Sequence, residues 1–315
     1  MKQKILLLIA VVILVLVILL LAFPQSRNTI SRFYTYLTAP SEVKNMIFVV
    51  GEEGNASLVR IYAGGLHTFS RDGISVLEAV KHGERIFAIL EEQATGAIDV
   101  YGISFRTGEQ RALTGDGQYK EGLSISPDGT MLAYALVGPP LDGKPDIYYD
   151  VRRHRIVTLN LSSGEVVDIE PGAHPFFLDD STLFFTNQDG YKVRSLSGPE
   201  QSTLIGTSSA NTIIFRPSVS RTGYIAYRNV RIPSDFLILQ IANWYPLSLL
   251  YSSTVSARED STLDDVAFAD SVAYSVYTTR GETTIHAFNP ASSSNEERVI
   301  FTFPEAIDIM NLIAQ

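Results

Sequence analysis

The chain has 315 residues, with 25 basic and 34 acidic side chains, a net charge of −9, five histidines and no cysteine. An acidic excess of this size repels nucleic acid and anionic headgroups, so neither is an expected main partner. Without cysteine there are no disulfides, thiolate metal sites or lipoprotein processing, and the core alone must hold the fold, which a chain of this length allows.

A short tail, residues 1–4, carries Lys2 and Lys4. Residues 5–23 then read ILLLIAVVILVLVILLLAF, nineteen positions without a charge, Gly or Pro. Roughly 20 such residues in a helix cross the ~30 Å hydrocarbon core of a bilayer. A removable secretory signal has a shorter apolar core and small residues at its cleavage site; bulky Phe23 followed by Pro24 fits that poorly. The expectation is an uncleaved transmembrane signal anchor in the cell membrane. Lys2 and Lys4 ahead of the span place the N-terminus in the cytoplasm and the remainder outside. Without those two lysines, 23 basic side chains face 34 acidic ones, so the part beyond the membrane carries −11.

Residues 24–44 read as a partly helical juxtamembrane connector. Ile30, Phe33, Tyr34 and Leu37 recur at i, i+3, i+4 and i+7, a helical stripe, with Pro40 beyond it. The stripe suits aromatic side chains at a membrane interface, or a helix that docks on a partner.

From residue 45 the pattern becomes short segments rich in Val, Ile, Tyr, Phe and Thr, punctuated by Gly, Asp, Asn and Pro. Similar apolar strands begin at Ile47, Ile86, Leu132, Leu183, Ile225 and Val272, spaced by 39, 46, 51, 42 and 47 residues. A period in the forties with four strands per unit marks a β-propeller blade. The clearest unit holds Ser126-Pro127-Asp128-Gly129 ahead of its strand, a sequence suited to a type I turn. The expected fold is therefore all-β: a six-bladed propeller of four-stranded antiparallel blades over 45–315, with seven blades as the alternative. The first unit begins at its second strand, 46–52, and the chain closes on a lone apolar strand, 306–313. Their pairing would close the ring and leave no free edge.

The stretch SISPDGTMLAY resembles the repeat of the TolB and dipeptidyl-peptidase-type WD40-like propellers. The likeness is close in one blade and degenerate in the other five. It implies a propeller that binds proteins or peptides, or that gates an attached hydrolase; here no nucleophile-elbow motif, G-x-S-x-G, is present.

Chemistry-bearing residues are sparse. His67, His82, His154, His174 and His286 stand singly, without zinc-ligand spacing. The pairs Asp179-Asp180 and Asp264-Asp265 fit turns and strand edges better than Ca²⁺ loops. No catalytic residue, metal site or cofactor is expected. Function in such a scaffold sits in its loops. The longest insertion, 138–149, runs into a basic stretch and presents Tyr148, Tyr149, Arg152 and Arg153, residue types common at binding hot spots. Arg228 and Arg231 are expected on the same rim; Trp244 and Tyr245, at a turn of the fifth unit, fall on the opposite one. The best reading is a membrane-anchored, non-catalytic cell-envelope module for a protein or peptide partner at the rim. Two alternatives stand beside it: a propeller glycoside hydrolase or lactonase with carboxylates at the channel mouth, and a structural subunit of a membrane complex docked through the connector.

Overall fold

The computed structural model describes residues 24–314 apart from 52–53, 63, 70, 105–106, 140–150, 199–200, 207–211, 215–216, 232–235, 245–246, 257–261, 280 and 293–295. At 24–30, 206, 212–214, 227–231, 236–238, 244, 247–248, 251 and 253–256 the backbone alone is described. The expected span, 5–23, and the tail, 1–4, lie outside the described residues. Among the described residues no helix is long and apolar enough to cross a membrane.

Among the described residues two helices come first, α1 (Pro24–Leu37) and α2 (Ser41–Asn45). Six antiparallel sheets follow around a ring. Blade one holds β1 (Ile47–Val50), β2 (Ser57–Tyr62) and β3 (Gly65–Phe69). Blade two is β4 (Ile74–His82), β5 (Arg85–Glu92), β6 (Ala97–Ser104) and β7 (Gln110–Ala112). Blade three is β8 (Lys120–Ile125), β9 (Met131–Val137), β10 (His154–Asn160) and β11 (Val166–Pro171). Blade four is β12 (Ala173–Asp179), β13 (Thr182–Asn187), β14 (Gly190–Ser195) and β15 (Ser202–Gly206). In blade five β16 (Thr212–Ile214) and β17 (Ser218–Val219) both pair with the inner side of β18 (Tyr224–Arg231); β19 (Phe236–Trp244) and β20 (Leu247–Ser256) complete it. Blade six is β21 (Thr262–Ala269), β22 (Val272–Thr279), β23 (Glu282–Phe288) and β24 (Arg298–Thr302). The last strand, β25 (Ile309–Ile313), returns to blade one and pairs antiparallel with β1, Phe48 opposite Leu312. Six blades are present, not seven.

The repeated apolar runs are the second strands, and they are apolar throughout because both faces are buried. Along β5, Ile86, Ala88 and Leu90 enter the cluster between blades one and two, while Phe87 and Ile89 enter the one between blades two and three. Alternate residues point to opposite faces, so a strand sandwiched between two neighbouring blades needs an apolar side chain at every position. There are six such buried clusters, one at each junction between blades.

The turn Ser126–Gly129 is closed by the Gly129 N–H donating to the Ser126 carbonyl at 2.9 Å, and Ser126 Oγ accepts from the Met131 N–H at 2.9 Å. Gly129 takes φ +72°, and a Cβ there would stand 2.4 Å from the His82 ring of blade two, so glycine is required twice over.

The connector is part of this core. Tyr36, Ala39 and Val43 are buried in the cluster between blades six and one. The Tyr36 hydroxyl donates to Glu305 Oε1 at 3.2 Å, and Arg32 pairs with Glu305 Oε2 at 2.7 Å. The sequence stripe of Phe33, Tyr34 and Leu37 does not make this contact. These three are 50%, 65% and 48% exposed, because α1 seats itself through the face that carries Arg32 and Tyr36. The side chain of Ile30 lies outside the described residues.

Candidate functional site

The innermost strands create the inner surface of the ring. Their pairing is irregular in every blade: the register shifts within blades one, two, three, four and six, and in blade five between β16 and β17. The innermost strand of each blade is an edge strand, whose N–H groups on the open side have no ladder partner, and here a side chain of the preceding blade accepts from them. Glu78 of β4 takes the N–H groups of Gly122 and Leu123 in blade three at 2.8 and 2.6 Å. Ser124 of β8 takes that of Phe177 in blade four at 3.0 Å. Asp265 of β21 takes that of Leu312 in blade one at 2.7 Å, with the Asn311 amide at 3.2 Å. Asn311 in turn accepts from Ala79 of blade two at 3.4 Å. Among the described residues, four of the six junctions are stapled in this way. Gly122, at φ +66°, lets blades three and four approach so closely that a Cβ would lie 3.0 Å from His174 Cα.

A cavity of about 120 Å³ on the axis touches all six blades, through Leu312, Ala79, Ser124, Phe176, Ser218 and Val266 in turn. From blade five, Arg221 reaches across it and donates to the Ile125 carbonyl of blade three at 3.3 Å. A space of that size takes a few waters, whereas sites for organic ligands run to about 300–1,000 Å³.

Among the described residues, one cleft of about 370 Å³ lies beside α2 and blade six, lined by Pro40, Glu42, Tyr274 and Arg298 among others, and another of ligand size is on the rim between blades three and four. The rim cleft measures about 410 Å³ and is lined by Val151, Arg152, Glu170, Asn187, Asp189 and Lys192, with Pro171 and Gln188. A 3₁₀ turn, Val151–Arg153, leads into β10 and sets exposed Arg152 at the cleft. On the blade-four side, Lys192 lies 3.7 Å from Asp189. Glu170 accepts from Ser202 and stands 3.9 Å from Arg194. Two cations and two carboxylates with different partners give this cleft mixed charge, suited to a polar peptide segment.

The sequence candidates do not converge on one place. Tyr148, Tyr149 and Tyr245 lie outside the described residues. Arg152 lines the cleft. Arg153 is occupied at the base of the 138–153 insertion, donating from Nη2 to the Gly138 carbonyl at 2.7 Å and from Nε to the Pro139 carbonyl at 3.0 Å. Arg228 is inside β18, paired with Leu239, and not in a rim loop, because the ladder with β19 runs on to Arg231. Arg231 ends that strand on the same rim, and Trp244 begins a hairpin on the opposite rim, paired with Leu247. Sequence reading missed Glu170, Asp189 and Lys192. The turn Asn187–Gly190 was the available signal, since it joins the second and third strands of its blade and so falls on that rim.

The acidic pairs have structural partners. Asp179 accepts from the Ser181 N–H at 2.8 Å, Asp180 from the Asp128 N–H of the neighbouring blade at 2.8 Å, and Asp264 from Thr278 at 2.6 Å. Among the described residues no three His, Asp or Glu side chains gather as a metal site. In blade six, Ser275, His286 and Glu297 meet with Tyr277 and Thr284. The Ser275 hydroxyl donates to Glu297 and His286 Nε2 bonds Thr284 at 3.0 Å, so serine and imidazole are not joined as nucleophile and base. Burial pushes the pKa of His286 down, against the pull of Glu297. A folded-state pKa below the ordinary ~6.5 means the unfolded chain binds the proton first, so stability is complete above about pH 6.5 and declines below it. Thermal melts between pH 7 and 5 should show this decline, and His286→Gln should flatten it; an unchanged slope would remove His286 as its source. The carboxyls of Asp99, Asp128 and Asp179, held below the usual range, act only at lower pH.

No protein-family model matches this sequence, and no curated protein matches it. Among solved structures it superposes on TolB from Acinetobacter baumannii with a TM-score of 0.59 at 13% identity, over 90% of this chain and 69% of that one. An oligogalacturonate lyase in complex with manganese gives 0.53 at 13% identity, over 85% and 76%. A chain of a nidogen/laminin complex gives 0.53 at 10% identity, over 83% and 95%. The chain thus has the β-propeller fold that TolB has, in a six-bladed form closed by its own last strand.

Proposed function

We propose that this protein is a membrane-anchored propeller of the cell envelope that binds a protein or peptide partner and carries out no chemistry itself. The observation that carries the reading is the contrast between the axial cavity and the rim cleft. The axial cavity is small, and the inner-strand carboxylates Glu78 and Asp265 are engaged by backbone amides. The rim cleft has the volume and the mixed charge for a peptide segment. A chain of like fold belongs to a nidogen/laminin complex. Anchoring is supported by the apolar run 5–23, and the extracytoplasmic placement by Lys2 and Lys4 ahead of it.

The enzyme alternative has one observation in its favour, the fold shared with a lyase that holds manganese. It would need carboxylates free of backbone duty.

The test is photo-crosslinking in native membranes from a probe at Gln188, which lines the cleft. One adduct of defined mass is expected. The pair Arg152→Glu and Lys192→Glu should reduce it about tenfold, the equivalent of ~1.4 kcal/mol, without moving the melting temperature. Equal labelling in the charge-reversed protein would remove the cleft as the binding site.

A further inference from the structure

We infer that one flank of the propeller, formed by α1 and the β2–β3 hairpin of blade one, rests on the lipid surface through Phe33, Tyr34, Leu37 and Tyr62. This rests on the anchored reading above and adds an orientation to it. Four observations lead there.

First, the connector is not a loose tether. Tyr36, Ala39 and Val43 are buried between blades six and one, and Glu305 holds both Arg32 and Tyr36, so the C-terminal half of α1 is packed onto the disc. Second, the face of α1 turned away from this seat is apolar and open, with Phe33, Tyr34 and Leu37 about half exposed or more. The patch continues onto blade one. Phe33 packs so closely on Gly64 that a Cβ there would lie 2.4 Å from its ring, and Tyr62, two residues earlier, is 56% exposed. Third, its composition fits the zone where hydrocarbon meets headgroup. Tyrosine and phenylalanine favour that zone, with the ring in the acyl boundary and the hydroxyl in water. Arg60 lies 4.8 Å from the centre of the Tyr62 ring and adds a cation at the edge of the patch.

The fourth observation is the chain's reach, which identifies lipid as the occupant. The apolar run ends at Phe23 and α1 begins at Pro24. At 1.5 Å per residue, the ten residues from Phe23 to Phe33 extend roughly 15 Å as helix. If the run crosses the bilayer, the patch is therefore held close to the headgroups. The β2–β3 turn joins third and fourth strands, as the turn at Trp244 does, and so lies on the rim opposite the cleft; with the patch on lipid, the cleft with Arg152 and Lys192 is on the side turned away from it, open to a partner.

The natural chain lacks cysteine, so a single introduced one reports its own position. Full-length Tyr34→Cys and, as a remote control, Val166→Cys on the outer strand of blade three would each carry a fluorophore. Both would be reconstituted in phosphatidylcholine vesicles containing headgroup-nitroxide lipid. Quenching at position 34 should exceed that at 166 severalfold. In the Tyr34→Ser/Leu37→Ser background, a probe at Tyr62→Cys should fall to the level of position 166, with the melting temperature unchanged. Equal quenching at 34 and 166 in protein that resists alkaline carbonate extraction would overturn the docked orientation alone. Release of the chain by carbonate would overturn the anchoring beneath it.

Discussion

A chain ended at Asp308 is expected to lose cooperative folding. The five residues of β25 form the innermost strand of blade one, and Ile309, Leu312 and Ile313 on it are buried. Burying such a side chain contributes about 1.5–3 kcal/mol, so three contribute roughly 5–9 kcal/mol, within the range of a whole domain's net stability. The strand also links its neighbours: Leu312 donates to Asp265 of blade six and Asn311 accepts from Ala79 of blade two. Without it those polar groups are left unpaired, and the inner edge of β1 becomes an open strand. The truncated chain should be digested by protease under conditions that leave the full chain intact, and its melt should be broad or absent. A single sharp transition within a few degrees of the full chain would show that the ring does not depend on this closure.

The second large effect is expected at Lys120. Its ammonium is fully buried, donates to the carbonyls of Ile98 at 2.7 Å and Gln118 at 2.9 Å, and lies 3.2 Å from Asp99. Asp116, more exposed, also contacts it. These bonds tie the link between blades two and three to β6. Lys120→Met keeps the length and apolar stem but leaves two carbonyls and a mostly buried carboxylate without their donor. Breaking a buried pair from one side destabilises by about 3–5 kcal/mol. Burial by itself would raise the Asp99 pKa, but hydrogen bonds from Thr114 and Lys120 bring it below the ordinary value. With the ammonium gone, acid unfolding should begin at higher pH. Lys120→Met with Asp99→Asn should be less destabilised than the sum of the single changes, since the two groups interact directly. Urea midpoints for the two single variants and the double one measure this; strict additivity would mean that Lys120 acts through packing alone.

These two sites belong to one arrangement. Each blade is a small sheet whose faces are finished by its neighbours, so stability resides in the junctions. The connector uses the same logic, since Tyr36 and Val43 complete the junction between blades six and one. The membrane-facing orientation proposed for α1 follows from that seat.

The blade count, the identity of the second strands and the need for a returning C-terminal strand could be read from the amino-acid order. They depend on local rules: a two-residue period, turn residues at fixed offsets, and apolar runs recurring every forty-odd residues. What could not be read is which side chains meet across junctions. Glu78 and Gly122 are 44 residues apart, as are Arg85 and Gly129, and nothing local distinguishes Glu78 from any other strand carboxylate. The connector shows the same boundary. Its helical period was legible, but Phe33, Tyr34 and Leu37 form the open face while Tyr36 forms the seat, because the groove between two distant blades selects the side that packs. The candidate site divides likewise. Arg152 was legible as a basic residue after a long insertion, whereas Glu170, Asp189 and Lys192 joined it only when blade four was set beside blade three. Periodicity is a property of the chain and survives in the sequence; contact between blades is a property of ring closure and exists only in the folded molecule.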